Sequence, residues 1–251
     1  SMGALVGGIY ALGKLNEFKL WLQTLDKLKV FKLVDFTFSS QGLIKGDRLI
    51  NELKKIISDK SIEDLNIAYA SVAVDILNKK EIVFTTGSIY EAIRASIAIP
   101  TVFTPVTLDN TILIDGGVLN NIPINHAKRF SNDLLIAVDV NADIPLDTSM
   151  YPKEEIEPHH SAYRIKIKEF QLQLQKIIPG NKKENLGYFN LINRTMSLMT
   201  NRISQATIEK YPPDILINIS KESCGNFDFY RGGELIEIGR FAARKTLEKH
   251  T

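Results

Sequence analysis

At 251 residues and 28.2 kDa the chain can bury one sizeable core, a length that fits one α/β domain better than two unrelated ones. Lys and Arg number 31 against 29 Asp and Glu, and the basic residues are dispersed, so nothing in the +2 balance argues for nucleic acid as a partner. The one cysteine, Cys224, excludes an internal disulfide and a cysteine-built zinc site, and no apolar run approaches bilayer-spanning length, which makes the cytoplasm the default location.

The chain opens on SMGALVGG. Read as a nucleophile elbow, it puts Ser1 at the corner between a strand and a helix, with Gly3 matching the second half of a G-x-S-x-G motif. The helix N-terminus would then favour an oxyanion, and Met2 would offer it a backbone N–H. Gly3, Gly7 and Ala11 form a small-residue stripe expected to press against a sheet. The same residues read equally as a cloning remnant followed by glycine-rich packing. A third reading, an N-terminal nucleophile using its own amine, is disfavoured because such a residue should begin a strand.

Phe18, Trp21, Leu22, Leu25 and Leu28 recur at helical spacing with lysines between them, predicting one amphipathic helix with a solvated basic face. Asp47 is placed to cap a second, with Leu49, Ile50, Leu53, Ile56 and Ile57 on one side. The β-rich segments 67–77 and 81–84, about Asn78, Lys79 and Lys80, predict a hairpin. Ser88 and Glu91 form a capping box for a helix to about Ser96, closed off by Pro100. Residues 106–108 and 111–114 flank Asp109-Asn110 as a second hairpin, whose second strand runs into Asp115. The runs at 134–140 (LLIAVDV) and 215–219 read as strands buried on both faces of a parallel sheet. Between them, 141–213 is a polar, variable loop and helix region with helical pieces near 165–177 and 191–208. An amphipathic helix over 234–249 closes a single α/β domain spanning 1–251.

A serine nucleophile needs a proton acceptor, usually histidine. Of the four here, His159 and His160 lie in the polar region, His250 at the chain end, and His126 at the start of an ordinary amphipathic helix; none stands at a strand end beside glycines. Asp115 does: it ends a strand at LIDGG, where Gly116 and Gly117 would turn the chain away and leave the carboxylate projecting. Taken alone, Asp-Gly-Gly is most often just a turn. No metal is expected either, since Asp139, Asp143 and Asp147 follow a strand into a loop, where solvated carboxylates far outnumber calcium sites.

Three segments, SMGALVGGIYA (1–11), ASIAIPTVFTPV (95–106) and LIDGGVLNNIPI (113–124), resemble in order the nucleophile, mid-chain and aspartate motifs of the patatin-like phospholipases. The resemblance continues weakly through IAVDVN to ELIEIGR in the last helix. It implies a patatin-like hydrolase fold with a mainly parallel central sheet flanked by helices. It also implies a lipid acyl hydrolase working through a Ser–Asp dyad and an acyl-enzyme, without histidine or any cofactor. By that match Ser1 is the nucleophile, Asp115 the base, Met2 an oxyanion donor, and Gly3, Gly116 and Gly117 the motif's supports. The family's glycine-rich oxyanion loop and first strand–helix–strand unit do not appear in the sequence. A chain without that loop is expected to lose ~10²–10³ in rate and to be inactive or nearly so, even where its parent is an enzyme. Acyl transfer to another alcohol, or an inactive binding scaffold, are the alternatives. The partner implied is a lipid or other acyl ester at a peripheral membrane surface. Dispersed charge predicts weak, reversible, nearly salt-independent binding through apolar residues such as Ile178, Tyr188, Phe189 and Met199.

Overall fold

A computed structural model describes residues 1–39, 42–108, 110–146, 188–225 and 228–250. The first helix, α1 (Met2–Ala11), buries Ala4, Leu5, Gly8, Ile9 and Ala11. Gly8 is needed at that contact, because a Cβ there would stand 3.1 Å from Ile93 Cδ1 and 3.2 Å from Ile89 Cδ1. Of the expected stripe only Ala11 is buried: a Cβ on Gly3 would meet nothing within 4 Å, and one on Gly7 would reach only the Tyr69 ring, at 3.8 Å, so the stripe's glycines are not the packed face. Leu5 and Ile9 carry more apolar area than the glycines and turn the helix so that they enter the core.

The helix predicted over Phe18 to Leu28 is two: α2 (Leu15–Gln23) and α3 (Lys27–Leu33). The break falls where Asp26 caps α3, its Oδ1 accepting the Lys29 N–H at 2.8 Å. A short pair follows, β1 (Phe36–Ser39) antiparallel to β2 (Gly42–Ile44), and then α4 (Asp47–Ile56). Asp47 is the first residue of α4 rather than its cap. The cap position is Gly46 at φ +82°, and the buried Asp35 carboxylate accepts the N–H groups of Gly46, Asp47 and Arg48 from outside the helix. Three otherwise orphaned donors are satisfied at once.

Both predicted hairpins form. β3 (Ser71–Asp75) pairs antiparallel with β4 (Lys80–Phe84), and β5 (Val106–Leu108) with β6 (Thr111–Asp115). The fully buried Asp75 carboxylate closes the first turn, accepting the N–H groups of Leu77 and Asn78. β3 also pairs antiparallel with β6, giving the order β4-β3-β6-β5. Against this sheet lies α5 (Ile89–Ser96), capped as predicted by Ser88, whose Oγ accepts the Glu91 N–H. Ile9, Leu53, Ile89 and Ile93, with almost no exposed surface, fill the core between α1, α4 and α5.

Past a turn, β7 (Ile136–Ala142) pairs in parallel with β8 (Ile215–Ser220). α6 (Tyr188–Lys210) and α7 (Gly232–Leu247) complete the described chain. A mixed α/β architecture is thus present, but the sheet is not mainly parallel among the described residues: β7–β8 is the parallel pair, and the four-stranded sheet is antiparallel throughout. Tight turns join β3 to β4 and β5 to β6, and so short a connection can only reverse the chain. Nor is β7 buried on both faces, since Ile136, Val138 and Val140 are 48%, 50% and 44% exposed. The helical piece expected near 165–177 lies outside the described residues, while the one near 191–208 is the body of α6.

Candidate active site

Ser1 is the N-cap residue of α1, and its carbonyl accepts the Leu5 N–H at 3.1 Å. The N–H groups of Met2, Gly3 and Ala4 precede that first intrahelical bond, and the Ser1 side chain does not cap them. Free donors and the positive end of a ten-residue helix therefore converge beside the serine. A helical start is also the opposite of the strand start that an N-terminal nucleophile calls for.

Asp115 ends β6 beneath the same point. Its Oδ1 lies 4.0 Å from the Ser1 backbone nitrogen, so the two residues stand together although 114 positions apart in sequence, 115 − 1. The residue is 5% exposed and fixed twice: its N–H donates to Ala98 O at 3.0 Å, and Oδ1 accepts the Gly117 N–H at 2.6 Å. The glycines that follow are set by space rather than by an unusual φ. A Cβ on Gly116 would lie 2.3 Å from the Val72 carbonyl oxygen of β3, and one on Gly117 would lie 3.0 Å from the Asp115 carboxylate. Ser1, Met2, Gly3, Gly116 and Gly117 all line one cleft of about 550 Å³, whose far wall is the open face of β7.

The loop after Gly117 carries a polar network to which the sequence alone assigned no role. Asn120 donates its backbone N–H to Gly116 O (2.8 Å) and its side-chain Nδ2 to Glu81 Oε2 (3.1 Å) and Asn125 Oδ1 (2.8 Å). His126 meets the same Glu81 oxygen at 2.7 Å. Asn121 donates to Ser204 Oγ on α6 at 3.2 Å. The carboxylate turn is thus moored to β4 on one side and to α6 on the other. The adjacent pair Asn120-Asn121 just after Gly-Gly was the visible signal, though its partners are distant in the chain.

His126 ends a short 3₁₀ turn (Ile124–His126) rather than starting an amphipathic helix, and its ring turns to Glu81. Pro123 at the head of that turn favours the tight conformation. His159 and His160 lie outside the described residues. Among the described residues no three His, Cys, Asp or Glu side chains gather as a metal site; Asp143 pairs with Lys221, and Asp147 is not described. No helix is long and apolar enough to cross a membrane, again among the described residues.

A model of the patatin-like phospholipase family matches residues 1–128. Uncharacterized NTE family proteins of Mycobacterium bovis and Mycobacterium tuberculosis are each 28% identical over 298 aligned residues, covering 99% of this chain and 81% of theirs. The mouse patatin-like phospholipase domain-containing protein 6 is 27% identical over 158 residues, 60% of this chain and 12% of that protein. Because the match runs from Ser1 past the Asp115 turn and takes in half of the sequence, the chain belongs to the patatin-like phospholipase family.

Proposed function

We propose that this chain carries the active site of a serine lipid acyl hydrolase. The observation that supports it most is the approach of Asp115 to the head of α1, with a nearly buried carboxylate 4.0 Å from the Ser1 backbone and unbonded helix N–H groups beside it. In this reading Asp115 takes the Ser1 hydroxyl proton as Oγ attacks the acyl carbonyl. The Met2 N–H stabilises the oxyanion, and collapse of the intermediate expels the alcohol, which leaves with that proton. Water then attacks the acyl-serine, yielding its proton to Asp115, and the fatty acid departs as Oγ is reprotonated. The Gly117 N–H holds the carboxylate in a single orientation for both proton transfers.

The Ser–Asp pair is favoured over a Ser–His–Asp triad because His126 is engaged with Glu81. The substrate class follows from the family together with the apolar walls of the cleft, Val6 on α1 and Ile136 and Val138 on β7. Turnover of a short-chain p-nitrophenyl ester by the full-length protein, and labelling of Ser1 by a fluorophosphonate, test the reading. A protein that is folded yet neither labelled nor active would be a binding scaffold instead. Release of acylated alcohol rather than free acid when a second alcohol is supplied would make it an acyltransferase.

A further inference from the structure

We propose that the outward face of α6 docks the protein on an anionic lipid surface, an inference that rests on the lipid-ester reading above. The C-terminal half of this helix is held in the fold: Ser204 is buried and bonded to Asn121, and Ile208 packs with Ile122, Ile124 and Ala137. The preceding turns present a different surface. Leu191, Leu198 and Met199 are 50%, 71% and 60% exposed, and at 100° per residue Leu191, Arg194, Leu198 and Arg202 fall on one side of the helix.

Charge identifies the occupant. From Leu186 to Ile208 the sequence holds Arg194 and Arg202 and no Asp or Glu. A stripe of leucine and methionine flanked by guanidiniums matches the interface of a bilayer, where apolar side chains enter the acyl boundary and cations meet phosphate. A protein partner of ordinary mixed charge would leave that acid-free stretch without purpose. The overall balance of +2 conceals this face, because the acidic residues lie elsewhere, and salt-sensitive docking here departs from the nearly salt-independent binding that dispersed charge predicts. Position supports the assignment as well: α6 is bonded through Ser204 to the loop that carries Asp115, so a lipid surface meeting its outer turns is delivered beside the cleft.

Vesicle sedimentation tests the proposal, using full-length protein with Ser1→Ala so that lipid is not consumed. Phosphatidylcholine vesicles are compared with phosphatidylcholine–phosphatidylglycerol vesicles. Each exposed arginine is worth about fivefold in partition at low ionic strength, so binding to the anionic vesicles should be at least about tenfold stronger and should weaken with salt. Arg194→Gln with Arg202→Gln should abolish the preference. Leu198→Gln with Met199→Gln should lower partition to both vesicle types by about tenfold. Unchanged thermal unfolding would show that both variants fold. Anionic-vesicle binding equal in wild type and the arginine variant, or no binding at all, overturns the proposal. Turnover of the water-soluble ester, measured in parallel with Ser1 intact, separates the two readings: its absence would defeat the hydrolase, not the docking face.

Discussion

Replacing Gly116 with alanine should damage the site through the backbone rather than through any lost side chain. The added Cβ would stand 2.3 Å from Val72 O, 2.7 Å from Val72 C and 3.1 Å from Val72 Cβ, so its nearest obstacle is the main chain of β3. Restoring ordinary contact requires the two backbones to part by about 1 Å, and overpacking of this kind costs about 1–3 kcal/mol. Asp115 is the adjacent residue, in register with Ala73 and bonded through its N–H to Ala98 O. Parting the chains at Gly116 therefore carries the carboxylate with it, and a displacement of about 1 Å costs on the order of 10² in rate. Thermal unfolding followed by circular dichroism, paired with p-nitrophenyl ester turnover of the full-length protein, measures both effects. At this chain length the stability loss corresponds to a fall in Tm of roughly 2–12 °C. Gly239→Ala, inside α7, is the control, since its Cβ would lie 4.0 Å from Ile219 Cδ1 on β8, an ordinary contact, and the substitution should stabilise by up to about 1 kcal/mol. If Gly116→Ala kept wild-type turnover and Tm, the close approach to Val72 would not be what positions Asp115.

What could be read from the sequence was chemistry completed within a few residues. Ser88 caps α5 as its spacing to Glu91 dictates, the chain reverses between β3 and β4 and between β5 and β6, and the strand running into Asp-Gly-Gly ends with its carboxylate held in the turn. What could not be read depends on partners far along the chain. Asp35 caps α4 from 11 to 13 residues away, and Asn120 finds Glu81 across 39. Apolar periodicity ran without interruption through Leu25, so the break that Asp26 makes between α2 and α3 was hidden by side chains that fit either description. LLIAVDV misled in a related way, because continuous apolarity reports side-chain type and not how many faces are covered. Its parallel pairing with β8 is real, yet Ile136, Val138 and Val140 remain half exposed. As for the site, Ser1 and Asp115 were each legible as candidates, while their proximity is a property of the sheet that brings β6 beneath α1.

Ser1→Ala and Asp115→Asn should each abolish ester turnover, and the double variant should lose little more; strictly additive losses would argue against one working unit. His126→Gln should keep turnover within about tenfold, because the ring is engaged with Glu81, and a collapse there would point to a triad. Tyr69→Phe should cost about 1 kcal/mol, since the hydroxyl donates to Ala4 O at 2.9 Å and holds α1 in place. Burial pushes that phenol up to about 12, so its contribution to stability is complete below pH 10 and is lost as pH rises from there through 12. Asp139 titrates in the opposite sense to a paired carboxylate. Burial raises its pKa above the ordinary 3.8, partly opposed by the Asn141 N–H that its Oδ1 accepts at 2.8 Å. Between 3.8 and the raised value the folded chain retains a proton that the unfolded chain has released, so stability falls as pH climbs through that window and the loss is complete above it. Asp139→Asn has no proton to release and can still accept from Asn141, so its Tm should exceed that of the wild type at pH 7. The gap should narrow as pH is lowered towards 3.8, because the wild-type carboxyl is then neutral in both states. An advantage that is the same at both ends of the range would trace to packing on β7 and would refute the charge argument.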